Sequence, residues 1–232
     1  MIQSKKVVVI VGAGRGIGEQ LAKLFAVDSE FQVVVLTRNL SNLLEIQKKH
    51  EVELHAFDLE SQNIRSDVEK MISHLPRVDY LINNAGKLVN KPFLELSKAD
   101  VMTCYQTNVL GIFEVIQAIL PKMTQDGGHI VNISTMGAIQ GSVKFPGLSA
   151  YSSSKAALAN LTEMLAEEFK NTKLKVNCLC LGTVQTEMLN EAFPGYKAPL
   201  SAAEMAGFIK DFSIHSSHFI NGKILPVSLS TP

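Results

Sequence analysis

The chain has 232 residues, of which 46% are hydrophobic and 19% charged, and its 22 lysines and arginines balance 22 aspartates and glutamates. This length and composition predict a globular protein with a sizeable core and exclude a disordered chain. The zero net charge, with no basic run and no apolar run near the ~18 residues of a membrane span, argues against nucleic-acid and membrane partners.

Six short apolar segments are predicted as β-strands, because they are mostly β-branched or leucine-rich and lack the polar alternation of a half-exposed sheet. They are residues 6–11, 31–37, 53–57, 78–83, 129–134 and 174–181. Helical periodicity is found at residues 17–27, 41–49, 61–74, 97–121 and 151–171. This alternation predicts an α/β fold, a single-domain doubly wound (Rossmann-type) parallel sheet with helices on both faces. No repeat or linker divides residues 1–232, so one domain is expected.

The apolar run after Lys5 and Lys6 is too short for a signal peptide and is interpreted as a buried strand. The chain has three cysteines, an odd number that argues against a disulfide framework. Cys178 and Cys180 alternate on one predicted strand without a second pair of metal-ligand type, so they are interpreted as core residues and no metal is expected. Together these features predict a cytoplasmic protein.

The first predicted strand runs into a glycine-rich turn, VVVIVGAGRGIG at residues 7–18. The fingerprint G-x-G-x-x-G does not fit it, because the third glycine would fall on Ile17 or Glu19. A strand, a tight glycine turn and a helix nevertheless present free backbone N–H groups and a helix dipole to a phosphate. A glycine-rich connection without a ligand is the alternative. The turn residues assigned to a nucleotide are Gly12, Gly14, Arg15, Gly16, Ile17 and Gly18.

The end of the second predicted strand indicates which nucleotide would bind. An NAD site places a carboxylate there to accept from the adenosine ribose, whereas this chain has Thr37 and Arg38 with no acid close by. Arg38, together with Arg15 of the glycine turn, offers forked donors suited to a 2′-phosphate. NADP is therefore favoured over NAD, with solvated surface charges as the alternative interpretation of both arginines.

Residues 151–155 read YSSSK, which places Tyr151 and Lys155 four positions apart on one face of a predicted helix. An ammonium near a phenol favours the phenolate and lowers the pKa of the tyrosine toward neutral pH. Such a tyrosine suits general acid/base catalysis on a carbonyl or an alcohol. Taken alone, the same spacing also fits an exposed pair that bridges two helical turns.

The order of these motifs resembles the short-chain dehydrogenase/reductase family over essentially the whole chain. The motifs are G-x-x-x-G-x-G (Gly12, Gly16 and Gly18), NNAG at residues 83–86, Asn108, the hydroxyls at residues 134 and 135, and YxxxK. The resemblance implies an NADPH-dependent oxidoreductase that interconverts a carbonyl and an alcohol by hydride transfer. A non-catalytic NADP(H)-binding sensor or scaffold is the alternative, and the intact Tyr151, Lys155 and Asn108 argue against it.

The resemblance also implies roles for individual residues. Tyr151 would exchange a proton with the substrate oxygen, Lys155 would tune Tyr151 and hold the nicotinamide ribose, and Asn108 would position a water. A hydroxyl that polarises the carbonyl is assigned to Thr135, with Ser134 as the open alternative. Further cofactor contacts are expected from Asp58, Leu59, Asn84, Ala85, Gly86, Gly182, Val184 and Thr186. Asp58 fits equally well as the N-cap of the next helix.

A short segment between Met188 and Leu200 stands where the family has its substrate lid. Its shortness indicates an accessible cleft for a bulky or loosely defined substrate, including a carrier-bound one. The resemblance implies a small-molecule carbonyl or alcohol, of ketone, aldehyde or 3-oxoacyl type. The apolar walls of this cleft are assigned to Phe93, Leu94, Phe145 and Phe193. The long helices at 97–121 and 151–171 resemble those that the family uses for subunit contacts, so a homodimer or homotetramer is expected.

Overall fold

The strands of the computed structural model, which describes residues 5–123 and 127–229, are all parallel to their neighbours. They are β1 Lys6–Val11, β2 Phe31–Thr37, β3 Val52–Ala56, β4 Tyr80–Asn83, β5 Gly128–Thr135, β6 Leu174–Leu181, β7 Val184–Gln185, β8 Leu200–Ser201 and β9 Ile224–Val227. Seven of them form one sheet in the order β3-β2-β1-β4-β5-β6-β9, and β7 pairs with β8. The expected doubly wound parallel sheet is confirmed, and the strand order reverses between β1 and β4.

The helices are α1 Gly16–Ala26, α2 Leu44–Lys49, α3 Ile64–Met71, α4 Lys98–Tyr105, α5 Gly111–Ile119, α6 Ser149–Glu168, α7 Glu187–Ala192 and α8 Ala202–His215. A π-helical turn, Gln106–Leu110, joins α4 to α5, so the predicted helix at 97–121 contains a local widening. The helix α3 is shorter than the predicted segment 61–74, because Asn63 occupies its N-cap position.

The sequence interpretation missed the helix α8, although a local signal precedes it. Ser201 and Glu204 form a capping box, in which each side chain bonds to the backbone N–H of the other residue. Met205, Ala206 and Ile209 then follow at helical spacing and are buried. A serine and a glutamate three positions apart before such a pattern predict a helix start.

The core lies on both faces of the main sheet, because successive strand residues point to opposite sides. Val8 and Ile10 of β1 pack in the cluster that contains α1 and α8, whereas Val7 and Val9 pack with α3, α5 and α6. Cys178 and Cys180 are fully buried and pack beside Met136 and Ala159, as expected of core residues. Within the described ranges, no helix has the length and apolar character needed to cross a membrane.

Candidate active site

The glycine turn after β1 is held tightly against the strand end of β4. Gly12 has a φ of 85°, and a Cβ added there would lie 2.5 Å from the Cα of Ala85. A Cβ on Gly18 would lie 2.2 Å from the Gly12 carbonyl oxygen, so α1 can approach the turn this closely only at a glycine. Asn84 Nδ2 donates to that same Gly12 oxygen at 2.7 Å. These contacts therefore fix the position of the turn that precedes the N-terminus of α1.

A cavity of about 610 Å³ extends from the glycine turn to the start of α6, within the usual size range of ligand sites. It brings together nearly all the residues that the sequence assigned. They are Gly12, Gly14, Arg15, Gly16, Ile17, Thr37, Arg38, Asp58, Leu59, Asn84, Ala85, Gly86, Ser134, Thr135, Tyr151, Lys155, Gly182, Val184 and Thr186. Gly18 and Asn108 do not line the cavity.

The two arginines assigned to the nucleotide have different surroundings. Arg38 is exposed at the end of β2, whereas Arg15 forms a bidentate ion pair with Glu191 of α7, with Nη2 and Oε2 2.9 Å apart. The hydrogen bond raises the pKa of Arg15 and lowers the pKa of Glu191. Glu187 also lies close, with Oε2 3.4 Å from the position of a Cβ on Gly16. The sequence interpretation missed both glutamates, because no local pattern connects α7 with the turn.

Asp58 and Leu59 follow β3 and line the cavity. Asp58 Oδ1 accepts from the backbone N–H of Glu60 at 3.0 Å, which closes a short turn. Because the N-cap of α3 is Asn63, the alternative that Asp58 caps this helix is wrong. The Leu59 carbonyl accepts from Gln106 Nε2 at 3.2 Å, so the π-helical turn supports this edge of the cavity.

Tyr151 and Lys155 lie in the first two turns of α6, and both reach the cavity. Lys155 is 2% exposed, and its Nζ donates to the carbonyl oxygens of Ala85 at 3.0 Å and Ile133 at 2.8 Å. Burial lowers the pKa of Lys155 to about 8. The ammonium is thus held between the ends of β4 and β5.

Burial raises the pKa of Tyr151 to about 12, with the thiols of Cys104 and Cys180 as smaller causes. The expectation that Lys155 lowers this pKa is wrong for this structure. The physical reason is that burial disfavours the charged phenolate, while the Lys155 ammonium donates to two backbone carbonyls.

Ser134 and Thr135 end β5 and point to opposite faces of the sheet. Ser134 is 4% exposed, and its Oγ donates to the backbone carbonyl of Lys155 at 2.9 Å. Thr135 Oγ1 instead accepts from the N–H of Gly137 at 3.4 Å. The single proton of the Ser134 hydroxyl is therefore committed to α6, whereas the acceptor role of Thr135 leaves its proton able to donate.

Asn108 lies in the π-helical turn and is fully buried. Its Oδ1 accepts from the N–H of Lys87 at 2.7 Å, and its Nδ2 donates to the Lys87 carbonyl and to Ser154 Oγ, both at 2.9 Å. A Cβ on Gly86 would lie 3.7 Å from Asn108 Oδ1 and 3.4 Å from Lys155 Nζ. Asn108 thus joins the chain after β4 to α6, and both Asn108 and Lys155 lie beside Gly86.

The segment after β6 covers the cavity. Gly182 donates its N–H to Val227 of β9 at 2.8 Å, and Val184 pairs with Leu200 through β7 and β8. Thr186 Oγ1 accepts from the N–H of Leu189 at 3.2 Å and so caps α7. This N-cap role was not predicted, since the resemblance assigned Thr186 only to the cofactor.

Two of the four predicted apolar wall residues line the cavity. The rings of Phe145 and Phe193 have centroids 6.3 Å apart and meet at its mouth. Phe93 lines a neighbouring groove instead. Leu94 is 95% exposed and lines neither.

Comparison with known proteins decides the family. A family model described as short chain dehydrogenase matches residues 6–197. The chain belongs to the short-chain dehydrogenase/reductase family. It is an oxidoreductase of the type that acts on CH–OH and C=O groups, and residues of four of its five motifs, all but Asn108, line one cavity here.

Two curated relatives and one solved structure illustrate the similarity. The chain is 31% identical over 209 residues to "Dehydrogenase/reductase SDR family member 6" of Xenopus laevis, covering 89% of this chain and 80% of that protein. It is 33% identical over 202 residues to "NADP-dependent 3-hydroxy acid dehydrogenase" of Schizosaccharomyces pombe, covering 83% and 76%. A solved structure of ElxO with NADP bound has a TM-score of 0.84 at 25% identity, covering 97% of both chains.

Proposed function

We propose that this protein is an NADPH-dependent oxidoreductase that interconverts a carbonyl and an alcohol by hydride transfer, with Tyr151 as the general acid/base. One observation carries the proposal: Tyr151, Lys155 and Thr135 line the same cavity as the glycine turn. A cofactor that starts at the turn and a substrate that meets Tyr151 would therefore share a single space.

The residues of the cavity fit a nicotinamide dinucleotide. The N-terminus of α1 offers free N–H groups beside the glycine turn. Gly86 lies beside Lys155, since a Cβ there would be 3.4 Å from Lys155 Nζ, and both residues line the cavity. When bound, NADPH would supply the hydride. The preference for a 2′-phosphate rests on Arg38 and Arg15, and the relative named as NADP-dependent and the NADP-bound neighbour support it.

The proton step belongs to the residues of this chain. With its pKa raised to about 12, Tyr151 keeps its hydroxyl proton at neutral pH and can donate it to a carbonyl oxygen during reduction. Thr135 donates a hydrogen bond to the same oxygen, which stabilises the negative charge that develops there. Lys155 supplies a positive charge one helical turn from Tyr151, and Ser134 holds the backbone of Lys155 in position.

The cofactor preference is tested by calorimetric titration of the protein with NADPH and NADH. We expect tighter binding of NADPH, and we expect the Arg38→Ala variant to lose most of that difference. Arg65→Ala is the matched control, because Arg65 is an exposed arginine of α3 that does not line the cavity. Equal affinities for both nucleotides in the wild type would overturn the argument from Arg38.

The catalytic role is tested with a panel of aldehydes, diketones and 3-oxoacyl esters. We expect NADPH oxidation by the wild type, and a loss of about 10²-fold or more in kcat for Tyr151→Phe, which lacks the proton donor. Tyr105→Phe serves as the control, since Tyr105 lies on α4 and does not line the cavity. If the wild type consumes no carbonyl, the protein is a nucleotide sensor or scaffold instead.

We further infer that the protein forms a homodimer or homotetramer. Met102, Leu110 and Phe113 are between 43% and 49% exposed along the continuous helix of α4 and α5, and this apolar surface supports subunit contact there. Light scattering on the eluted protein tests the inference, and a monomer would contradict it. The assignment of residues 1–232 to one domain and the cytoplasmic location stay predictions.

A further inference from the structure

We propose that the substrate is a neutral ketone or aldehyde whose apolar chain extends from Tyr151 past Phe145 into the neighbouring groove, which we call the distal groove. The proposal rests on the proposed function and deepens it, since it names the substrate class. It excludes carbonyl compounds with a free carboxylate beside the reacting carbon.

The distal groove adjoins the catalytic cavity. Both spaces are lined by Gly137, Phe145, Leu148 and Ser152, and Ser152 directly follows Tyr151 in α6. Gly137 lets β5 end close to α6 at this boundary, because a Cβ there would lie 2.6 Å from Ser152 Oγ. A substituent on the reacting carbon thus meets the distal groove as it passes this boundary.

The walls of the distal groove are mainly apolar. Pro92, Phe93, Phe145, Pro146 and Leu148 contribute to them. Phe93 is 76% exposed and Phe145 is 49% exposed, so large apolar surfaces remain open to water in this region. An alkyl chain that covers them would gain about 0.8 kcal/mol for each buried methylene, or about fourfold in affinity.

The positions of the charged residues in the catalytic cavity argue against a substrate carboxylate near the reacting carbonyl. Of the described residues, five charged ones line the catalytic cavity: Arg15, Arg38, Asp58, Lys155 and Glu187. Arg15 and Glu187 lie at the glycine turn, and Arg38 and Asp58 follow β2 and β3. The fifth residue, Lys155, already donates to two backbone carbonyls. A substrate carboxylate beside Phe145 and Phe193 would therefore lose water without gaining a cation.

The distal groove has one cationic side chain among its described lining residues, Lys144. Its Nζ donates to Ser142 Oγ at 2.8 Å and to the Ile139 carbonyl. Lys144 therefore stabilises the turn at residues 139–144. An uncharged substrate chain is the ligand that fits the distal groove.

The lid segment between Met188 and Leu200 covers the path from Tyr151 to the distal groove. Asn90 Nδ2 donates to the Ala192 carbonyl at 2.8 Å, and Lys91 donates its N–H to the Gly147 carbonyl at 3.0 Å. These bonds join the loop after β4 to the end of α7 and to the loop that carries Phe145. The contact between Phe145 and Phe193 completes this cover on the side of the distal groove.

The experiment compares kcat/KM for substrates matched in all but one property. 3-Oxobutanamide and 3-oxobutanoate share the carbonyl and nearly the same shape and differ in charge, and we expect at least a tenfold preference for the amide. In the series from 2-butanone to 2-decanone, we expect kcat/KM to rise two- to fourfold for each added methylene, mainly through KM. Equal values for amide and acid, or a flat series, would overturn the proposal while leaving the proposed function intact.

A pair of variants locates the chain-length effect. Phe93→Ala should flatten the 2-alkanone series, because it removes an apolar wall of the distal groove. Phe219→Ala is the matched control, since Phe219 is 81% exposed and lines neither space, and it should keep the slope of the wild type. An unchanged slope in Phe93→Ala would contradict the placement of the chain.

Equilibrium binding separates this proposal from the proposed function. Calorimetry should detect binding of 2-decanone and much weaker binding of decanoate, whether or not turnover occurs. If 2-decanone binds selectively but no carbonyl is reduced, the proposed function is wrong, whereas the proposal that the distal groove binds an apolar chain is supported. If decanoate binds as well as 2-decanone, the neutral substrate class is wrong.

Discussion

Arg15 and Glu191 are separated by 176 positions in the chain and form a bidentate ion pair in the fold, with Nη2 and Oε2 2.9 Å apart. Arg15 belongs to the glycine turn, and Glu191 belongs to the helix that covers the cavity. The guanidinium proposed to bind the 2′-phosphate is thus held by a carboxylate of the lid. A phosphate and Glu191 compete for the same forked donor.

This competition predicts the effect of Glu191→Gln on nucleotide binding. The variant keeps the shape of the side chain but removes its charge, so Arg15 becomes freer for a phosphate. We expect the Kd for NADPH to fall two- to fivefold, in line with the small energies of exposed ion pairs, and the Kd for NADH to stay the same. Calorimetric titration measures both values.

Glu167→Gln is the control for this prediction, because Glu167 pairs with Lys170 in an exposed ion pair of α6 and does not line the cavity. It should change neither affinity. Weaker NADPH binding by Glu191→Gln, or an equal gain for NADH, would contradict the competition.

The two hydroxyls at the end of β5 are distinguished by paired substitutions. Thr135→Val removes the proposed donor to the carbonyl oxygen and should lower kcat by about 10²- to 10³-fold, whereas Thr135→Ser should retain most activity. Ser134→Ala removes a buried second hydrogen bond to the Lys155 carbonyl and should cost about 0.5–1.5 kcal/mol of unfolding free energy. Its kcat should fall less than that of Thr135→Val.

Steady-state kinetics and denaturant unfolding of the three variants test this assignment. A large loss of kcat in Ser134→Ala, together with an active Thr135→Val, would show that the roles are reversed.

The pH dependence of carbonyl reduction follows from Lys155 and Tyr151. Lys155, with its pKa lowered to about 8, is charged below that pH and neutral above it, whereas Tyr151, with its pKa raised to about 12, stays protonated. The value of kcat/KM, which reports on the free enzyme, should therefore be level from about pH 6 to 7.5 and fall as the pH rises through 8.

Circular dichroism over the same range is the control, because it shows that the protein stays folded. A falling limb centred near pH 10, close to the ordinary pKa of lysine, would contradict the prediction.

The stability of the fold should depend on a buried histidine. His129 is 1% exposed, its Nδ1 lies 2.9 Å from the Ser213 carbonyl, and its Nε2 lies 2.9 Å from Asn177 Nδ2. The neutral ring satisfies both partners by donating from Nδ1 and accepting at Nε2, and burial lowers its pKa to about 4. Below pH 6.5 the unfolded chain binds a proton that the folded chain does not, so unfolding free energy falls from pH 6.5 to 4, by roughly 3 kcal/mol.

Urea unfolding at several pH values tests this dependence. His129→Asn should be less stable at pH 7 and should lose part of the pH slope between 6.5 and 4. His218→Asn, a substitution of an exposed histidine, should keep the slope of the wild type. The same slope in both variants would show that other groups cause it.

Local patterns in the sequence were sufficient for the sheet and for most of the cavity. The continuous β-branched runs predicted six of the seven strands of the main sheet, because parallel strands covered on both faces tolerate few polar residues. The strand ends then placed the glycine turn, NNAG and the hydroxyls at residues 134 and 135 at one edge. The helix α8 was missed although its capping box is visible, and the π-helical turn at Asn108 lacks a comparable local signal.

The sequence by itself thus determined the fold class, which depends on short-range periodicity and on the geometry of parallel strands. Through its resemblance to a known family, the sequence also indicated most of the residues that line the cavity. Only the tertiary structure decided that Glu191 holds Arg15, that Ser134 is bonded to α6 while Thr135 is not, and that burial raises the pKa of Tyr151. Those outcomes depend on contacts between distant segments and on the exclusion of water, neither of which a local pattern contains.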